Sequence, residues 1–126
     1  MKVQITQNAD QVMVTLEGRL DTVTSSEFEK SINPYFQMQG IELILDCASM
    51  EYISSAGLRV VLMAHKSITA KGGRFIIRNL SNEVRSVFDM TGFSRILTIE
   101  SASVVIDLNN SSVKQWLNYE FRLQFE

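Results

Sequence analysis

The sequence has few of the residues that build disulfides and metal centres. It contains one cysteine, Cys47, one histidine, His65, and one proline. A single cysteine cannot form an internal disulfide and suits a reducing compartment. One cysteine and one histidine also fall short of the four ligands of a structural zinc site. We therefore predict no metal site and no cofactor.

Signatures of catalysis are missing as well. The motif G-x-S-x-G, which places a nucleophilic serine on a sharp strand-to-helix turn, does not occur. Carboxylate pairs such as Glu27 and Glu29 have the spacing of a solvated helix face and not of an acid/base dyad. We predict no catalytic residues and no enzymatic activity.

The charge pattern excludes two further classes of partner. Twelve basic and 14 acidic residues give a net charge of -2, and no basic run occurs. A chain without a basic face has no electrostatic basis for binding nucleic acid or an anionic membrane. No apolar stretch approaches the roughly 20 residues of a membrane span, and the N-terminus has no signal-peptide core. With 45% hydrophobic residues, a globular cytoplasmic protein is expected.

The sequence does contain a clear alternation of strand and helix patterns. Residues 2–7 and 11–18 alternate apolar with polar side chains around a turn, which predicts an antiparallel hairpin. A helix is expected next, with Thr24 as its N-cap and Glu27 completing a capping box. Pro34 predicts the break that ends this helix.

A buried strand and a helix meet at the centre of the chain. The apolar run 41–45 predicts the strand, which Asp46 should close, and residues 47–53 are expected to form a connection. Ser54 and Ser55 stand where the helix pattern opens. A hydroxyl at such a position commonly does no more than cap the first-turn amides.

The helix after these serines has one narrow polar face. Apolar side chains cover more than half of its circumference, which predicts tight packing against a sheet. The remaining face carries Ser55, Arg59, Met63 and Lys66, which lie on one side of the helix at a spacing of about one turn. We call these four residues the stripe and predict that it is exposed.

The second half of the chain continues the alternation. A strand is predicted over 74–78, then a helix that Ser81 caps and Gly92 ends, then a strand over 96–99 and a brief helix over 101–108. Strands that alternate with helices predict an α/β domain, with a mixed, mostly parallel sheet and helices packed against it.

The last residues follow a different pattern. From 113 to 125 the side chains alternate with a period of two, which indicates a strand. We therefore divide the chain into a domain over 1–110 and a C-terminal extension over 111–126. A terminal strand needs a sheet edge, either its own or that of a neighbouring subunit, and the second arrangement would give a homodimer.

Three segments together resemble the STAS family, and within it the bacterial anti-sigma factor antagonists. They are LEGRLD at 16–21, LILDCASMEYISSAGLRVVL at 43–62 and GGRFIIRNLSNEVRSVFDMTGFSRIL at 72–97. The resemblance implies the STAS fold and a partner-switching function. Such an antagonist binds an anti-sigma factor that is also a serine kinase, which frees a sigma factor to direct transcription. Phosphorylation of one serine ends the binding, and a serine phosphatase restores it.

The resemblance also implies site residues. It aligns the phosphoacceptor with Ser55, and Ser54 is the lesser candidate because the family's best-studied branch has an acidic residue there. Asp21 matches an aspartate near the kinase-contacting surface, and Asp46 matches a second strand-end acid that serves as a turn residue in the simpler interpretation. The expected contact surface comprises Asp21, Ser54, Arg59, Met63 and Lys66.

Two other functions remain open on the sequence. STAS domains also serve as soluble, non-enzymatic subunits of membrane complexes, including lipid-transporting ABC ATPases, where the same helix docks on an ATPase subunit. A plain scaffold or dimeric module is the third interpretation. Phosphate on Ser55 would favour the partner switch, and co-purification with a membrane ATPase would favour the transport subunit.

Overall fold

The computed structural model describes residues 1–100, which form a five-stranded sheet with helices between its parallel strands. The strands are β1 (Lys2–Asn8), β2 (Gln11–Leu20), β3 (Glu42–Ile53), β4 (Arg74–Arg78) and β5 (Thr98–Glu100). Their order in the sheet is their order in the chain. β1 pairs antiparallel with β2, whereas β2 to β5 pair in parallel. The predicted α/β class, the mostly parallel sheet and the N-terminal hairpin are confirmed.

Each connection between parallel strands contains one α-helix. These are α1 (Thr22–Ile32), α2 (Ser55–Ala70) and α3 (Asn82–Thr91), and 3-10 turns follow at Asn33–Gln37 and Phe93–Arg95. The 3-10 turn around Pro34 is the predicted break, since proline there removes a helical hydrogen bond. The predicted brief helix over 101–108 and the C-terminal strand lie outside the described residues.

One hydrophobic core joins the helices to one face of the sheet. Alternate residues of each strand point into it because side chains of a strand alternate between its faces. The largest fully buried side chains include Leu16, Leu20, Phe28, Leu43, Leu45, Ile68, Ile77 and Phe88. Helix α2 is the central helix of this layer, since it contacts α1, β3 and β4.

The start of α1 differs from the prediction. The helix begins at Thr22, and its N-cap is Asp21 instead of Thr24. The Asp21 carboxylate accepts hydrogen bonds from the backbone N–H groups of Val23 and Thr24, each at 3.0 Å. The Thr24 hydroxyl accepts from the Asp21 N–H at 2.9 Å. Thr24 thus completes the capping box, the role that the sequence pattern had assigned to Glu27.

Strand β3 is also longer than predicted. Residues 47–53 are not a connection, because the ladder with β2 continues through two register shifts and pairs Leu20 with Ile53. Asp46 lies inside the strand at the first of these irregularities. Its Oδ1 accepts from the Ala48 N–H at 3.0 Å and from the Asn79 amide at 3.1 Å, so the carboxylate has a local structural role.

The later elements match the sequence pattern more closely. β4 has the predicted bounds, Ser81 caps α3 by accepting from the Val84 N–H at 3.2 Å, and Gly92 ends it with a left-handed φ of 81°. β5 begins at Thr98, two residues later than predicted, because the N–H groups of Ile96 and Leu97 donate to the Phe93 carbonyl at the end of the 3-10 turn.

Gly57→Ala tests how closely α2 approaches the sheet. A Cβ at this position would lie 2.9 Å from Ile53 Cγ1 and 2.9 Å from Leu20 Cγ, well inside the usual carbon–carbon contact distance. Alanine gains up to about 1 kcal/mol over glycine within a helix, whereas overpacking a core costs about 1–3 kcal/mol. We expect a net loss of about 1 kcal/mol in the free energy of unfolding, measured with urea.

The Leu20→Ala background provides the control. Removing the Leu20 side chain makes room for the new methyl group, so Gly57→Ala should cost less there than in the original chain. A variant Gly57→Ala that is more stable than the original chain would contradict the close approach.

Candidate functional site

The carboxyl ends of β2 and β3 bring two helix starts together. Leu20 and Ile53 pair at the end of the ladder, and the Ser54 N–H donates to the Leu20 carbonyl at 2.9 Å. The next residues in each chain segment are the N-caps Asp21 and Ser54. Sequence positions more than 30 apart thus become neighbours at one edge of the sheet.

The two adjacent serines have different environments. Ser54 is half-buried, and its Oγ accepts from the Gly57 N–H at 3.2 Å, which caps α2. Ser55 is the first residue of the helix and is exposed. Within the described residues its hydroxyl makes no hydrogen bond to another side chain or to the backbone. Ser55 is therefore the serine that an enzyme could reach without uncapping the helix.

The stripe is exposed over its whole length. Ser55, Arg59, Met63 and Lys66 all face solvent, whereas the opposite face of α2 is buried. The predicted exposure of the stripe is confirmed. Its role in binding a partner stays a prediction.

A groove runs between α1 and α2 beside the stripe. Its volume is about 280 Å³. The residues that line it come from both helices: Thr22, Ser25, Ser26, Glu29, Ala56, Arg59, Val60 and Met63. The α1 wall was not among the predicted site residues, although the polar side of that helix was visible in the sequence. Its position opposite Arg59 follows only from the packing of the two helices.

Asp21, predicted to contact a partner, is also a structural residue. Hydrogen bonds from the backbone and side chain of Thr24 lower the pKa of the Asp21 carboxyl below its usual value, with smaller contributions from the Val23 N–H and Arg19. The bonds to Val23 and Thr24 use Oδ1. Any partner that binds Asp21 therefore meets a carboxylate whose position the helix has already fixed.

Exposed apolar side chains surround the two helix starts. Val23 is 74% exposed in the first turn of α1, and Met63 is 36% exposed on the stripe. Tyr52, at the end of β3, is 40% exposed and stacks under the Arg19 guanidinium at 4.2 Å. Apolar groups among polar ones are typical of a protein-binding surface.

Other kinds of site find no support in the described residues. No group of three or more His, Cys, Asp or Glu residues between 1 and 100 could hold a metal ion. Cys47 is buried, and desolvation, followed by the Asp46 charge, raises the pKa of its thiol to about 12. This thiol is therefore protonated and unreactive at neutral pH. None of the helices described between residues 1 and 100 has the length and hydrophobicity of a membrane span.

The family model of the STAS domain matches residues 1–110. The chain belongs to the STAS domain family. The family carries the fold described above, and the candidate site of this chain lies at the start of α2. The predicted family and fold are confirmed.

Individual relatives agree with this assignment. The anti-sigma-B factor antagonist of Listeria monocytogenes is 26% identical over 104 residues, which cover 82% of this chain and 91% of that protein. Unphosphorylated SpoIIAA, an anti-sigma factor antagonist, superposes with a TM-score of 0.71 at 23% identity, covering 81% of this chain and 89% of SpoIIAA. Phosphorylated SpoIIAA from Bacillus gives a TM-score of 0.66 at 22% identity over 81% of this chain and 92% of SpoIIAA.

Asp21→Ala and Asp21→Asn separate capping from charge. Alanine removes the acceptor for the α1 amides and should lower the urea midpoint at pH 7, whereas asparagine still caps and should lower it less. Folding lowers the pKa of Asp21 from its usual value of 3.8. The ionised carboxylate therefore stabilises the folded state at pH values above 3.8. That contribution is lost as the pH falls through the folded-state pKa.

Unfolding curves over a range of acidic pH values provide the measurement. The difference between the original chain and Asp21→Asn should be constant near neutrality and should shrink below pH 3.8. A difference that grows on acidification would show that the carboxylate is not stabilised by the cap.

Proposed function

We propose that this STAS protein is an anti-sigma factor antagonist that acts by phosphorylation-controlled binding and not by catalysis. Unmodified, it binds an anti-sigma factor with serine kinase activity and so releases a sigma factor. Phosphorylation of Ser55 ends that binding, and a serine phosphatase reverses it. The observation that carries this proposal is the exposed, uncommitted Ser55 hydroxyl beside the capping Ser54.

The names of the relatives, and the phosphorylation states in which one of them has been solved, support the proposal. The Listeria protein is named an anti-sigma-B factor antagonist, and SpoIIAA has been solved with and without phosphate. Both forms of SpoIIAA have the fold of this chain. The similarity is consistent with a modification that leaves the fold intact and changes the surface.

The local electrostatics allow phosphate on Ser55. A phosphoryl group adds about -1.5 to -2 charges near neutral pH. At the positive end of a helix, such a charge is favoured by roughly 0.3–1 kcal/mol. Phosphorylation should therefore leave α2 folded, and any loss of binding must arise at the partner, where misplaced charge is costly. A penalty of about 3 kcal/mol lowers affinity more than a hundredfold.

The proposed contact surface joins the two helix starts to the stripe. It comprises Asp21, Ser54, Arg59, Met63 and Lys66, of which Arg59 and Met63 also line the groove between α1 and α2. We place the protein in the cytoplasm, with no cofactor and no direct contact with nucleic acid. A homodimer through the C-terminal extension remains a separate prediction, and residues 111–126 lie outside the described part.

Site-mapped mass spectrometry on protein from its native cells tests the switch. We expect two pools of the chain, one carrying a single phosphoryl group on Ser55. Ser55→Ala should bind the anti-sigma factor under all conditions, and Ser55→Asp should bind more than a hundredfold more weakly. Circular dichroism spectra of both variants should match the original.

Ser54→Ala is the matched control. It removes a hydroxyl one residue away and a helix cap, so it should lower stability by about 1 kcal/mol while phosphate still reaches Ser55. Phosphate found on Ser54 would move the switch to that residue. No phosphate under any condition, with co-purification of a membrane ATPase, would replace the proposal with the transport-subunit function.

A further inference from the structure

Arg59 is placed to contact both Ser55 and an approaching partner. It follows Ser55 by four residues on the exposed stripe of α2, and side chains at this spacing have Cβ atoms about 5–6 Å apart. It also lines the groove between α1 and α2. Ser55 and Arg59 are the two residues of the stripe that lie in the first two turns of this helix.

The Arg59 guanidinium has no acidic partner among residues 1–100. The salt bridges of the described part involve Arg74, Arg78 and Arg85, and Arg19 stacks on an aromatic ring. Glu29 lines the opposite wall of the groove and forms no salt bridge with Arg59. Within the described residues the guanidinium is therefore available to bind an anion.

The groove suits a carboxylate on a short aliphatic stem. Ala56, Val60 and Met63 supply apolar surface on the α2 side, and Arg59 supplies the charge beside it. Arginine binds carboxylates through two parallel hydrogen bonds, and partly desolvated pairs of this kind are stronger than exposed ones. Glu29 makes the α1 wall unfavourable for an anion, so charge complementarity with Arg59 selects an aspartate or glutamate of a protein partner as the occupant of the α2 wall.

A phosphate on Ser55 would offer Arg59 a nearer anion. An acidic group four residues before a basic one is the favoured orientation for a pair along a helix. The phosphate carries up to two negative charges and three acceptor oxygens. It would hold the guanidinium on the stripe and leave the partner's carboxylate in the groove without its counter-ion.

We propose that Arg59 couples the modification to binding: it holds an acidic side chain of the partner while Ser55 is a free hydroxyl, and it turns to the phosphate once Ser55 is modified. The proposal rests on the proposed function and adds the regulation of the same site. Phosphorylation then weakens the complex in two ways, by adding negative charge at the interface and by withdrawing Arg59.

A thermodynamic cycle tests this coupling in the full chain. It compares the effect of phosphorylation on binding in the original chain and in Arg59→Gln. Arg59→Gln should weaken the binding of unmodified protein to the anti-sigma factor by about tenfold or more. Phosphorylation should then cost the variant about tenfold less than it costs the original chain, because no guanidinium is left to withdraw. An equal loss in both chains, measured by calorimetry, would overturn the coupling.

Lys66→Gln is the matched control variant. It removes one positive charge from the same exposed stripe. Lys66 lies 11 residues beyond Ser55, which corresponds to a rise of about 16 Å along the helix. The cost of phosphorylation should be the same in this variant as in the original chain. Arg59→Lys keeps the charge but loses the paired hydrogen bonds, so it should give an intermediate coupling.

A measurement without a partner isolates the intramolecular half of the proposal. Phosphoserine is incorporated at position 55 during translation, and ³¹P NMR follows its second ionisation, whose usual pKa is about 6. Arg59→Gln should raise this pKa, since a neighbouring cation stabilises the dianion, and Lys66→Gln should leave it unchanged because Lys66 is too far from the phosphate. The same pKa with and without Arg59 would overturn the proposal.

The proposed function and the coupling through Arg59 can be contradicted separately. Absence of phosphate on Ser55 in cells would contradict the proposed function, yet the NMR titration would still report whether Arg59 reaches the phosphate. A normal switch with no NMR effect would retain the proposed function and reject Arg59 as its coupling residue. Because Arg59 is exposed, its substitution should leave the thermal midpoint near that of the original chain, which rules out misfolding as the cause.

Discussion

The pairing of β2 with β3 through their last residues determines the position of the whole site. Because the ladder continues through two register shifts and ends on Leu20 and Ile53, both strands end at the same level. Each strand then passes directly into the N-cap of a helix, Asp21 in one case and Ser54 in the other. The groove, the stripe and the two helix starts are consequences of this register.

Close packing beneath α2 makes the position of Ser55 rigid. Gly57 lies against Leu20 and Ile53 with no room for a side chain, so the first turn rests directly on the ends of both strands. Interiors at native density are not continuously deformable. A charge added to Ser55 therefore changes what the surface presents and has little freedom to change the fold.

The sequence predicts those parts of the site that depend on local periodicity. The stripe and the buried face of α2 follow from helical spacing, and the caps at Ser54 and Ser81 follow from hydroxyls at helix starts. The longer β3 could not be predicted, because residues 47–53 acquire strand structure only by pairing with β2. The N-cap of α1 was predicted wrongly for a related reason. Thr24, three residues after the true cap Asp21, shows the same local sequence pattern.

The groove between α1 and α2 could not be predicted from local sequence patterns. Its walls come from two helices whose contact depends on the sheet register, and no spacing within either helix reports that contact. Function in this protein therefore depends on the combination of local and non-local features. Local capping leaves the Ser55 hydroxyl uncommitted. Non-local packing places beside it Arg59, which forms no salt bridge within residues 1–100, and a groove of mixed polar and apolar lining. Phosphate on Ser55, as proposed, would then change the charge of this surface without requiring a change of fold.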